Sequence, residues 1–262
     1  MQLMSNSRKL DKVSGLFSIF LILGTWEVIS RVKLVNPIFL PPPSNILYAL
    51  YILLTNIDIY IDLLVTIYRF TAGYLLGCVI AIPVGLFMGI NQRVYTALEP
   101  LVESLRPLPA SALIPVALLL FGLGDGMTVS IVAYAVVWPV LINTVDGVRN
   151  VDPTLLDTGL IFGLDSKGLV RKVIIPASLP SIATGMRISL SLSIVLVVVV
   201  EMLVGDSGLG QRVINAERSF RFGEMYGVVI LIGLVGYVVN RLFLALRNSL
   251  LGWHVESRES RQ

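Results

Sequence analysis

Apolar residues in this chain gather into long runs instead of alternating or recurring at helical spacing, and short polar breaks separate the runs. A helix needs about 20 apolar residues to cross the hydrocarbon core of a bilayer. Residues 13–30, 62–90, 127–145, 182–204 and 225–246 each supply such a run, or nearly so. Residues 99–123 are apolar as well, but Pro100, Pro107, Pro109 and Pro115 predict a broken or kinked helix there. The pattern therefore predicts an all-α membrane protein of about six transmembrane helices. Residues 91–96, with Arg93, read as a short polar turn, and three polar interruptions are longer than a turn, one of them the stretch 205–221 with Gly205, Gly208 and Gly210. Residues 34–44 carry Pro37 and Pro41-Pro42-Pro43, an irregular crossing before a short helix over 46–55 that Ser44 or Asn45 can cap. Residues 151–180 carry Asp152, Asp157, Asp165, Lys167, Arg171 and Lys172, so they cannot lie in lipid. They read as helix, turn, helix: Pro153 suits a first turn, Gly163 breaks the run, Asp165 or Ser166 caps the next helix, and Pro176 and Pro180 close it.

Composition agrees with the pattern. The 262 residues are 55% hydrophobic and 14% charged, against about 25% charged in soluble domains. A net charge of +3 is small and gives no nucleic-acid signal. With one cysteine, Cys78, and one histidine, there is no internal disulfide and no Cys/His metal cluster; Cys78 reads as a packing residue. The basic start (Arg8, Lys9, Lys12) before an apolar run has the outline of a signal peptide, but no Ala-x-Ala-like site follows, so the run is expected to remain as a first span. There is no G-x-x-x-x-G-K-[ST] phosphate loop, no His-Glu-x-x-His and no nucleophile elbow. No catalytic residue is assigned.

The stretch at 151–180 resembles the EAA loop of permease subunits of ATP-binding-cassette importers. Asp157, Thr158 and Gly159 stand at its acidic-small-small positions, Gly163 at its glycine, and Val173, Ile175 and Pro176 at its aliphatic-x-aliphatic-Pro ending. Asp replaces the usual Glu, and Thr-Gly the usual Ala-Ala. Three further phrases resemble the permeases of importers for nitrate, sulfonates, taurine and bicarbonate: Arg106-Pro107-Leu108-Pro109 with Ala112 to Pro115, Phe121 to Gly124, and Glu201-Met202-Leu203 with Ser207 to Gly210. Related permeases serve pyrimidine thiamine precursors and other small organic acids.

The resemblance implies a type I importer permease fold. It implies one permease domain over 1–262, with tails at 1–12 and 247–262, a first span and extracytoplasmic segment at 13–60, and a core at 61–246 containing the coupling loop 151–180. It also implies that the loop docks a cytoplasmic ATPase subunit through Asp157 to Arg171, Leu164 included. The remaining partners implied are an extracytoplasmic substrate-binding protein and a second permease copy. ATP and Mg would be bound by the ATPase, with no cofactor on this chain. The location implied is a bacterial inner membrane. Both termini on the cytoplasmic side would place Arg8, Lys9, Lys12, Arg93, Arg149, Lys167, Arg171, Lys172 and Arg247 inside, in accord with the positive-inside rule; Arg31 and Lys33 dissent.

Several membrane positions carry two readings. Gly73, Gly77, Ala81, Gly85 and Gly89 recur every fourth residue and form a face for close helix approach, either within the chain or at a pore or dimer interface. Arg69 and Glu201 are ionisable groups inside apolar runs, either paired structurally or in contact with substrate. Together with Arg106, Pro107, Pro109 and Pro115 they form the candidate substrate pathway. Two rival functions remain. One is an ion-driven secondary transporter that would use Glu201 or Asp146, and the other a non-transporting membrane anchor.

Overall fold

The computed structural model describes residues 18–250. Part of the first expected span (13–17), both charged tails apart from Arg247 to Leu250, and His254 lie outside the described residues. The described residues form helices joined by turns and loops, with no strand among them: α1 (18–31), α2 (Pro43–Thr55), α3 (Ile57–Ile90), α4 (Gln92–Leu105), α5 (Ile114–Phe121), α6 (Asp125–Arg149), α7 (Pro153–Ile161), α8 (Ser166–Leu169), α9 (Ile175–Val204), α10 (Leu209–Arg218) and α11 (Phe222–Leu250). A 3-10 turn at Ala110–Leu113 precedes α5, and a π-helical segment at Val170–Ile174 joins α8 to α9. Among the described residues, Ile57–Ile90, Asp125–Arg149, Ser166–Val204 and Phe222–Ser249 are long and apolar enough to cross a membrane. The pair Gln92–Leu105 and Ala110–Phe121, bent by 84°, makes a fifth span if taken as one.

The bent pair is the proline-broken helix that the sequence predicts, except that Pro100 lies inside α4 without breaking it; the other three prolines have separate places. Pro107 lies in the break, Pro109 precedes the 3-10 turn, and Pro115 starts α5 at a position where its missing N–H costs nothing. The break frees backbone carbonyls, and the Tyr134 hydroxyl donates to that of Leu105 at 2.6 Å. Polar backbone at membrane depth requires such partners.

Four boundaries differ from the sequence reading. No side chain caps α2: its N-cap is Pro42, with Pro43 in the first turn. The Ser44 hydroxyl instead donates to Glu27 Oε1 at 2.8 Å. Residues 92–96 are helical, because the Asn91 side chain accepts from Arg93 N and so starts α4 one residue later. Pro176 and Pro180 do not close the loop. Pro176 sits in the first turn of α9 and Pro180 inside it, so the second loop helix runs straight into the span. The polar stretch at 205–221 contains a helix, α10.

Contacts divide the chain into two compact units: Met1–Ile61 with Arg212–Ile232, and Asp62–Gln211 with Gly233–Gln262. In the first unit, Trp26 meets Tyr226 edge-on with centroids 6.0 Å apart, and Phe39 meets Phe222 at 5.3 Å. In the second, α6 is the central helix. Its Val132, Val136 and Val140 are fully buried against residues of α3 and α9, including Ala81, Cys78, Leu190 and Val197. The small stripe of α3 is what admits α6. A Cβ built on Gly73, Gly77, Gly85 or Gly89 would lie 2.6, 2.6, 2.7 and 2.5 Å from the Cβ of Val132, Val136, Thr144 and Val148 respectively. Apolar helices gain little from burial in lipid, so this close van der Waals contact is what binds them.

Candidate functional site

The loop between α6 and α9 is folded by its own short-range chemistry. The Asp152 carboxylate caps α7 by accepting from Thr154 N at 2.8 Å, with Pro153 in the first turn. Gly163 ends the helix at φ +75°, where a glycine is favoured. Its N–H donates to the Leu160 carbonyl at 2.9 Å and that of Leu164 to Gly159 at 3.0 Å, the Schellman pattern. Asp165 then caps α8 by accepting from Gly168 N at 2.9 Å. Gly159 is buried where the two short helices meet, since a Cβ there would lie 2.8 Å from Leu169 Cδ1. Thr158 returns its hydroxyl to the Thr154 carbonyl, and Asp157 and Arg171 are exposed. Capping therefore belongs to Asp152 and Asp165. Leu164, Val173 and Pro176 line a cavity of about 570 Å³ beneath the loop.

At its tip the loop shows Ile161 at 83% and Phe162 at 81% exposure, with Leu160 and Leu155 beside them. The sequence reading did not single out these residues. Their signal was available: two large apolar side chains directly before a helix-ending glycine, in a segment too polar for lipid.

Arg69 and Glu201 lie far apart in sequence and meet in the fold. Arg69 is 3% exposed and Glu201 fully buried. Arg69 Nε donates to Asp125 at 2.6 Å, Nη1 to Glu201 at 3.3 Å and to the Ser207 carbonyl at 2.8 Å, and Nη2 to Asp206 at 3.1 Å. Glu201 also accepts from the Thr66 hydroxyl at 2.9 Å and from Gly210 N at 3.0 Å. Thr66 in turn accepts from Leu209 N, and Asp62 from Gly208 N. Gly208 has φ +103°, and any side chain there would collide with the Glu201 carboxylate. Asp206 lies in the loop between α9 and α10. Hydrogen bonds from Ser207 and then Arg69 hold its carboxyl below the usual aspartate value. Arg69, Glu201 and Thr66 are buried while Asp125 and Asp206 close the cluster at an exposed edge, and every guanidinium nitrogen is paired, which fits the structural pairing left open by the sequence. Arg106 is elsewhere.

Arg106 and Pro107 line a cavity of about 590 Å³ together with Tyr95, Glu99, Glu103 and Asp146. The carboxylates outnumber the arginine, so the local field opposes an anion. Pro109 and Pro115 do not line it.

Residues 81–250 fit the model of the binding-protein-dependent transport system inner membrane component. The chain belongs to that family. It is 29% identical over 241 residues to SsuC of Bacillus subtilis (strain 168), described as an aliphatic sulfonates transport permease, covering 92% of this chain and 87% of that protein. It is 30% identical over 195 residues to the nitrate import permease protein NrtB of Leptolyngbya laminosa, covering 74% and 70%. The methionine transporter MetNI, solved in inward-facing conformations, contains a chain that superposes with a TM-score of 0.62 at 18% identity, covering 70% of this chain and 92% of that one. The fold is that of a type I importer permease, and the subgroup is that of sulfonate and nitrate permeases.

Proposed function

We propose that this chain forms the pore of an ATP-driven importer for small oxyanions, with nitrate and alkyl sulfonates as its substrate class. It pairs with a second permease copy. A substrate-binding protein delivers the anion on the outer face of a bacterial inner membrane. Two ATPase subunits dock on the loops from inside the cell, where both chain termini also lie. ATP and its Mg2+ are bound by those subunits, since this chain has no phosphate loop. ATP binding draws the docked loops together and shifts a two-state pore, because the ATPases bind the two states with different affinity.

One observation carries this reading: a capped, folded loop outside the spans that presents Ile161 and Phe162 to water. Leaving an aromatic of that size exposed forgoes about 1.5–3 kcal/mol of burial. A partner pocket recovers it, and a central apolar anchor is the usual hot spot of such an interface. The rival ion-coupled mechanism would use Glu201 or Asp146; Glu201 is committed to Thr66, Gly210 and Arg69, which leaves that mechanism Asp146 alone.

Gly163→Arg tests the reading. The loop turn needs φ +75°, so the variant should reach the membrane and lose its co-purifying ATPase and ATP-dependent uptake. Phe162→Ser, which keeps the turn, should weaken ATPase retention by about 30-fold, the usual cost of removing a hot spot. Undiminished ATP-driven uptake by Gly163→Arg would sink the assignment.

A further inference from the structure

We infer that the cavity between α9 and α11 is an oxyanion site in which Arg187 is the charge-selecting contact; its role as a substrate station rests on the importer reading above. The cavity measures about 580 Å³ and is lined by Thr184, Arg187, Ser191, Tyr237 and Asn240 together with apolar side chains. Thr184, Arg187 and Ser191 are spaced i, i+3, i+7 and share one face of α9; Tyr237 and Asn240 are spaced i, i+3 on α11. No carboxylate is among the lining residues. A second guanidinium, that of Arg241, lies 5.9 Å from the Tyr237 ring centroid, so both nearby charges are positive.

Arg187 sits on one of the most apolar helices of the chain and is exposed, with no hydrogen-bond or ion-pair partner among the described residues. An arginine within a span is costly unless it faces a cavity or a counter-charge. The fold supplies the cavity and leaves out the counter-charge. Ser191, Tyr237 and Asn240 add donors that no described residue occupies, whereas the Thr184 hydroxyl is committed to the Pro180 carbonyl at 2.9 Å. A planar guanidinium with neutral donors around it matches a planar or tetrahedral oxyanion, which it binds through two parallel N–H···O bonds. The acid-lined cavity at Arg106 has the opposite sign, so an anion partitions to Arg187.

The test uses the full chain in discs of neutral phosphatidylcholine. Cys78, its one cysteine, is buried, so Ser191→Cys adds a single accessible thiol beside an intact Arg187. A sulfonate-bearing methanethiosulfonate should label it, and nitrate or ethanesulfonate should slow labelling by about tenfold once present at ten times its dissociation constant. A neutral sugar should not. Adding Arg187→Gln should abolish the protection, and Arg187→Lys should keep part of it. Unlabelled thiol, absent protection, or equal protection without Arg187 would each overturn the proposal. So would labelling that phosphatidylglycerol blocks and nitrate leaves unmoved, which would make the site a lipid-headgroup contact. Nitrate protection in a chain that retains no ATPase would overturn the importer reading and leave the anion site standing. ATPase retention without protection would do the reverse.

Discussion

Two arginines on apolar helices of the same unit have opposite fates. Arg69 is 3% exposed and hydrogen-bonded at all three guanidinium nitrogens to Asp125, Glu201, Asp206 and Ser207. Arg187 is exposed in a cavity whose lining offers neutral donors and no acid. The cost of a membrane arginine is the same in kind at both sites. At the first it is offset by fixed protein charges, so nothing remains to bind a solute. At the second the offset is left to water or to an incoming anion. Position in an apolar run does not separate structure from function here; the partners do.

The largest expected effect would break or establish that contrast. Arg69→Gln leaves Glu201 buried with an uncompensated charge, and losing one partner of such a pair costs about 3–5 kcal/mol. Thermal unfolding in detergent should show a much lower midpoint, or little folded protein. Arg187→Gln removes no described partner and should stay within about 0.5 kcal/mol of the parent. Equal destabilisation by the two variants would mean that Arg187 has a structural role and that the contrast is false.

A smaller effect tests how tightly the Arg69 cluster is fitted. Gly208→Ala places a methyl at φ +103° against the Glu201 carboxylate. Overpacking of this kind costs about 1–3 kcal/mol. The loss should be reduced in a Glu201→Ala background, which removes the colliding side-chain end, if overpacking against it is the cause. If the two changes add without interaction, the strain lies in the backbone alone.

The spans, the broken helix and the capped loop were legible because each is written locally. Long apolar runs set the first, Pro107 and Pro109 the second, and Asp152, Pro153, Gly163 and Asp165 the third. Helix continuity was misread where proline was taken as a stop: Pro180 lies inside α9 because the packed span around it outweighs one missing hydrogen bond. The meeting of Arg69 with Glu201 was not legible, because the two residues lie 132 positions apart and only the packing of α3 against α6 and α9 brings them together. The stripe of Gly73, Gly77, Gly85 and Gly89 was visible as a face, but its occupant, Val132 to Val148 of α6, was not. The cavity at Arg187 was missed for the same reason. Arg187 alone reads as a side chain reaching for the membrane surface; Tyr237 and Asn240, on another helix, turn it into a site.

The smallest effect concerns the exposed edge of the Arg69 cluster. Asp206 accepts from the Ser207 hydroxyl at 3.0 Å and from Arg69 Nη2 at 3.1 Å, and its carboxyl is held below 3.8 by these two donors. A carboxyl whose folded value is lowered stabilises the fold fully above its unfolded value. The contribution fades as pH falls through the folded value. Because the Asp206 side chain is 67% exposed, water and salt screen it. Arg69 therefore keeps Glu201 and Asp125 when Asp206 protonates, and the cluster loosens at one corner only. Between about pH 5 and pH 3, bracketing the ordinary aspartate value, the thermal midpoint of the parent should fall slightly more than that of Asp206→Asn. Parallel curves would show that Asp206 adds nothing and that Asp125, Glu201 and the Ser207 carbonyl hold the arginine. A steep divergence would show the reverse: the cluster would then be opened from its solvent edge, and Arg69 would resemble Arg187 more than its burial suggests.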